Sequence, residues 1–149
     1  MAVGDGAITI ADLSYTAGII DGEGSIMIKR SKGNRPNRPT PEYRVVISVT
    51  NTNRLLLEWL FKKFGGSIKH YAKQAFGHKP CYTWTITAKS GIIFLRLIKP
   101  YVLLKGEQLE TALLFQTSVG GQPRLSTETL MFREECFQKA RELNKRGVL

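Results

Sequence analysis

The spacing of hydrophobic and polar positions changes period in a regular order along the chain. From about Ala11 to Gly22 apolar and small residues recur at helical spacing, with Thr9 or Asp12 placed to cap the first turn. Ser25 to Arg30 then reads as extended. Glu42 to Thr50 alternates, with Tyr43, Val45, Ile47 and Val49 on one side and Glu42, Arg44, Val46 and Ser48 on the other. A second helix runs from a cap at Asn51 or Thr52 through Leu55, Leu56, Trp59, Leu60 and Phe64, and stops at Gly65-Gly66. Two more strands, Ser67 to Lys73 and Cys81 to Thr87, flank a turn over 74–80; Ile68, His70, Tyr82, Trp84 and Ile86 lie on the inward side of these strands. Beyond Thr87 the pattern is helical: Ser90 to Ile98, a break at Pro100, Lys105 to Thr117, a turn over 120–123, and a last helix from a Ser126 or Thr127 cap to about Lys145.

The order helix, strand, strand, helix, strand, strand predicts an α+β fold in which helices cover one face of a four-stranded antiparallel sheet, with extra helices at the C-terminus. The opposite face is polar, and alternation alone leaves open whether it is solvated or docks a partner. A chain of 149 residues makes one domain over 1–149, with a core over about 9–118 and a helical extension over about 124–146.

Charge sharpens this picture. Twenty-two Lys and Arg against 12 Asp and Glu give a formal net charge of +10, which points to a polyanion, nucleic acid first. A membrane surface fits less well, because the cations fall in strands and loops and not along one amphipathic helix. The apolar runs are too short to span a bilayer, and no charged start with an apolar core opens the chain. Cys81 and Cys136 supply neither a disulfide framework nor zinc spacing, and His70, His78 and Cys81 lack a fourth ligand. The expectation is a soluble, unexported, intracellular protein.

The densest chemistry lies in Thr16-Ala17-Gly18-Ile19-Ile20-Asp21-Gly22-Glu23-Gly24. Gly18 and Gly22 share one helical face, and each costs about 1 kcal/mol against Ala in a helix interior, so they need a packing reason. Glu23 places a negative charge at the negative end of the helix dipole, which a nearby cation would offset. A buried helix with a glycine stop and a surface Glu is the plain alternative.

These nine residues resemble the signature of the LAGLIDADG homing endonucleases. Ala17, Gly18, Ile20, Asp21 and Gly24 are identical to it, Gly22 matches a common variant, Ile19 and Glu23 are conservative, and Thr16 departs. The resemblance implies the αββαββα homing-endonuclease fold and an intron-encoded enzyme that cuts double-stranded DNA at a specific site, in an archaeal cytoplasm or an organelle. The single motif copy implies a homodimer paired through Ala17, Gly18, Asp21 and Gly22, acting on a pseudo-palindromic target. Glu23 and the Gly22 carbonyl are the implied ligands of Mg²⁺, for which Mn²⁺ or Ca²⁺ would substitute. Lys105 matches the lysine of the catalytic pocket, and Asn51 and Arg54 match its amide and arginine, with Asn53 as the alternative to Asn51. With the motif in place, the outer sheet face becomes a DNA surface carrying Lys29, Ser31, Lys32, Arg35, Arg38, Arg44, Ser48, Lys69, Tyr71, Lys73 and Thr83. Arg44 and Lys69 suit base edges, and the loop cations suit phosphates. A maturase acting on intron RNA, or a non-cleaving DNA-binding protein on the same fold, is the alternative; neither needs both Glu23 and Lys105. A basic ribosomal or architectural protein would leave the glycine-packed helix unexplained.

Overall fold

The structure is a computed structural model that describes residues 6–32, 40–71, 80–120 and 126–146. Helix α1 spans Ile10–Glu23 and passes directly into strand β1, Gly24–Ser31. Thr9 and Asp12 form a reciprocal capping box: the Asp12 N–H donates to the Thr9 hydroxyl and the Thr9 N–H donates to the Asp12 carboxylate. That backbone bond holds the Asp12 carboxyl below its usual range, assisted by Lys63. Thr16, the departure from the motif, is fully buried and satisfied locally, its hydroxyl donating to the Asp12 carbonyl at 2.7 Å. Gly24 does not end α1 through a left-handed turn; its φ is −89°. Glycine is required there because a Cβ would stand 2.8 Å from the Ile20 Cα.

Strand β2 covers Glu42–Asn51, α2 Arg54–Phe64, β3 Ser67–Tyr71 and β4 Cys81–Thr87. The cap of α2 is Asn53, whose side chain accepts the Leu55 N–H, and not Asn51 or Thr52. Asn51 instead accepts the Asn53 N–H two residues on, an Asx turn that brings the chain from β2 into the helix. At the other end Gly65 and Gly66 both take positive φ, and a Cβ on Gly66 would lie 2.5 Å from the Thr85 carbonyl oxygen. The Gly65 carbonyl accepts the buried Trp84 indole N–H at 2.7 Å.

The four strands form one antiparallel sheet in the order β1-β2-β4-β3. Register places Ile26, Ile47 and Ile86 in one inner row, and Gly24, Val49, Trp84 and Ile68 in the next. The sheet's inner face packs on α1, α2 and helix α3, Ala88–Ile98, around Trp84, Phe64 and Phe94; the Phe64 and Phe94 rings meet edge to face at 5.0 Å. Gly91 lets α3 sit close, since a Cβ there would reach within 2.8 Å of the Ile47 side chain. A 3₁₀ turn over Lys99–Tyr101 holds Pro100 and leads to α4, Gly106–Gln116. The last helix, α5, spans Thr127–Arg146, with the Ser126 hydroxyl accepting the Thr129 N–H. It packs against α4 and β1, and its Cys136 and Ala140 share the buried cluster of Ile26 and Ile28. No described helix is long and apolar enough to cross a membrane.

Candidate active site

Glu23 closes α1 with its side chain exposed, and the Asn51 amide donates to its Oε2 at 2.9 Å. The two residues are brought together because α1 and β2 both end here, and because the Asn53 N–H, donating to the Asn51 Oδ1, leaves the Asn51 NH₂ group to face α1. Lys105 arrives from the start of α4. Its ammonium donates to the carbonyls of Ile20 at 2.9 Å and Asp21 at 2.8 Å, so it neutralises the negative end of α1. It is anchored one turn back from Glu23 along α1, and its hydrogen bonds go to those carbonyls and not to the Glu23 carboxylate.

Asp21, half-buried one residue before Gly22, organises a distant segment of the chain. Its carboxylate accepts three successive backbone N–H groups, from Leu103 at 2.8 Å, Leu104 at 3.0 Å and Lys105 at 3.1 Å. It thereby holds the segment that delivers Lys105, and displays Leu103 and Leu104 at 88% and 76% exposure beside the end of α1. Ala17, expected at the dimer interface, is fully buried in the core of its own chain. Gly18 and Gly22 are exposed, and a Cβ at either would meet no atom within 4 Å. Arg54 pairs with Glu58 at 2.8 Å, and its guanidinium lies 5.5 Å from the ring of Tyr82, the strand partner of Asn51. Asn51 and Lys105 therefore both bond to the C-terminal end of α1.

The donor set around this tip suits a hard divalent cation. The helix's own ladder ends where the Gly24 N–H meets the Ile19 and Ile20 carbonyls, which leaves the carbonyl of Gly22, the residue before Glu23, beyond its reach. One carboxylate and one carbonyl suit Mg²⁺, which keeps several waters and fills its shell from a substrate phosphate. No group of three or more His, Cys, Asp or Glu able to hold a metal forms among the described residues, and the His70 ring instead packs on Tyr82 with centroids 4.9 Å apart.

The outer face of the sheet is rich in hydroxyls. Register aligns Ser25, Ser48, Thr85 and Ser67 in one row, Thr50, Thr83 and Lys69 in another, and Lys29 opposite Arg44. Hydroxyl pairs bridge neighbouring strands, Ser25 to Ser48 at 2.9 Å and Thr50 to Thr83 at 2.8 Å. Ser31 and Tyr71 end their strands opposite Glu42 and Cys81, and Lys32 follows β1 exposed to solvent. Arg35, Arg38 and Lys73 lie outside the described residues. Val46, on this same face between Met27 and Thr87, is nearly fully buried, an apolar spot that strict alternation did not mark out.

Comparison with known proteins agrees with this architecture. The chain is similar to the archaeal intron-encoded homing endonuclease I-Vdi141I, solved in complex with DNA, at 19% identity and a TM-score of 0.74, covering 89% of this chain and 84% of that one. It is similar to the homing endonuclease I-TnaI at 15% identity and a TM-score of 0.66, covering 90% and 96%. I-LtrWI, a LAGLIDADG homing endonuclease solved bound to target DNA, matches at 16% identity and a TM-score of 0.67, and there the chain spans 46% of the solved one. No curated protein sequence matches it. The family described as LAGLIDADG endonuclease matches residues 16–111, more than half of the chain and starting at the first residue of the glycine-rich motif, so this chain belongs to the LAGLIDADG endonuclease family.

Proposed function

We propose that this protein is a site-specific double-stranded DNA endonuclease that works as a homodimer, with a divalent cation at the tip of each α1. The observation that carries this reading is the free face of α1. Gly18 and Gly22 leave a bare strip of helix backbone, nothing in this chain covers it among the described residues, and it ends at the exposed, Asn51-bonded Glu23. Two glycines weaken a helix by about 2 kcal/mol together, a cost that close approach of a second backbone would offset. A two-fold pairing of these strips would bring two Glu23 carboxylates together, and a cation relieves their repulsion. The span of the chain fits the same reading: it covers most of I-Vdi141I and I-TnaI but about half of I-LtrWI.

In this proposal Glu23 and the Gly22 carbonyl hold the cation, which would activate water and neutralise charge on the scissile phosphate. The Asn51 amide fixes the Glu23 rotamer, and Lys105 offsets the helix-end charge that would otherwise disfavour a carboxylate there. The hydroxyl and cationic rows of the sheet face read base edges and meet phosphates. Selection of cleaved sites from a random DNA library with Mg²⁺ tests the reading. Glu23→Gln is expected to abolish cleavage while binding to the selected site survives, and Gly18→Leu is expected to shift the protein to monomer in sedimentation. A Glu23→Gln protein that cuts at the wild-type rate would remove the assignment, and a wild type that sediments as a monomer on its target would remove the dimer.

A further inference from the structure

Strand β1 is an edge of the sheet, and α5 runs alongside it. Three contacts fasten α5 to β1 and a fourth, from Tyr43, ties it to the neighbouring β2. The Asn144 amide donates to the Ile26 carbonyl at 3.1 Å, the Arg30 guanidinium pairs with Glu134 and lies 4.6 Å from the Phe137 ring centroid, and the Tyr43 hydroxyl donates to Glu134 at 2.6 Å. Between strand and helix lies a groove of about 530 Å³. Its rim carries Lys29, Arg30, Arg141 and Lys145, its floor is apolar at Met27 and Phe137, and no acidic residue lines it. Arg30 is engaged by Glu134; among the described residues Lys29, Arg141 and Lys145 pair with no carboxylate. Arg141 and Lys145 are four apart on one face of α5 and exposed.

We propose that this groove is a phosphodiester-binding site, which takes the DNA backbone as it leaves the outer sheet face and passes over the edge of β1. The proposal rests on the reading of the sheet face as a DNA surface. Lys29 is the link: it stands opposite Arg44 on the outer face and also forms the rim of the groove, so one line of positive charge runs from Arg44 through Lys29 to Arg141 and Lys145. A guanidinium fork and two ammonium groups suit phosphate oxygens, and the Met27 and Phe137 surface suits the apolar edge of a deoxyribose. Such contacts carry no base information; they set affinity and register, and they scale with salt. The helix also covers an edge strand that would otherwise offer unpaired backbone groups.

The test uses the full-length protein and a labelled duplex of mixed sequence, titrated across salt without divalent metal. For the double variant Arg141→Gln/Lys145→Gln, affinity is expected to fall about tenfold or more at low salt, and the slope of log K against log salt to shrink by about 2, one per lost phosphate contact. Arg141→Lys, which keeps the charge, is expected to retain the salt slope. Because both side chains are exposed, thermal melts should coincide with the wild type. A double variant with the wild-type salt slope overturns the proposal while leaving the endonuclease reading intact. A wild type that binds no duplex at any salt overturns that underlying reading. Loss of binding to anionic phospholipid vesicles with unchanged DNA affinity would assign the groove to a membrane surface and overturn it too.

Discussion

Replacing Asp21 by Asn tests whether one carboxylate positions the segment that carries Lys105. Asp21 accepts N–H groups from Leu103, Leu104 and Lys105 at 2.8, 3.0 and 3.1 Å. An amide keeps one acceptor oxygen and turns an NH₂ group toward a backbone donor, so at least one bond is lost and the rest lose their ionic character. Hydrogen bonds to charged acceptors contribute about 1.5–3 kcal/mol each, but water can replace the acceptor where the amide is exposed. The bonds from Leu103 and Leu104 are exposed and only that from Lys105 is part-buried, so the net cost should be nearer one such bond than three, about 2 kcal/mol. For a domain of this length that lowers Tm by roughly 4–8 °C. A total stability of about 5–15 kcal/mol keeps the variant folded at 25 °C, so any fall in single-turnover cleavage there reports displacement of Lys105 and not unfolding. Thermal denaturation followed by tryptophan fluorescence, with cleavage at saturating DNA, measures both effects. A Tm within about 1 °C of wild type together with an unchanged rate would refute the role assigned to Asp21.

Other expectations follow from single contacts. Gly66→Ala forces a Cβ against the Thr85 carbonyl at a φ of +87°, and should cost about 2–3 kcal/mol or more in urea unfolding, with DNA-contacting side chains untouched. The Tyr43 hydroxyl, backed by Gln138 and Arg30, holds the Glu134 carboxyl below its usual range. Since its folded pKa is depressed, this contribution is present above the ordinary carboxylate pKa and is lost as pH falls through the lower folded value; Glu134→Gln should flatten stability against pH in that acid window. Burial and the same Glu134 contact raise the Tyr43 phenol, so ultraviolet titration should place its ionisation above the normal tyrosine range. On the sheet face, Arg44→Ala should relax specificity at one base pair per half-site, whereas Lys32→Ala should weaken all sequences alike and reduce the salt slope by about 1.

Much of the fold was legible because its signals are local. Alternation in β2 and β4 follows from one buried face, the capping pair Thr9 and Asp12 stands three residues apart, and Gly65-Gly66 marks a turn that needs positive φ. The cap of α2 was not separable from sequence, because Asn51, Thr52 and Asn53 can each accept a helix N–H; the end of β2 fixed which one does, with Asn51 accepting the Asn53 N–H and donating to Glu23. The motif placed Glu23 at a helix end, since spacing and a terminating glycine suffice for that.

Tertiary structure decided what those residues face. Ala17 and Gly18 are neighbours in the motif, yet one is sealed in the core and the other bare, because a helix rotates about 100° per residue and only packing says which side the sheet takes. That Asp21 holds the segment from Leu103 to Lys105, more than 80 residues on, shows only once that segment is folded against it. The groove at β1 depends on Lys29 and on Arg141 and Lys145, far apart in the chain and without any shared pattern. Period and capping are determined by neighbours a few residues away, so the sequence alone carried them; contacts between distant segments depend on how whole elements pack, and only the folded chain could supply those.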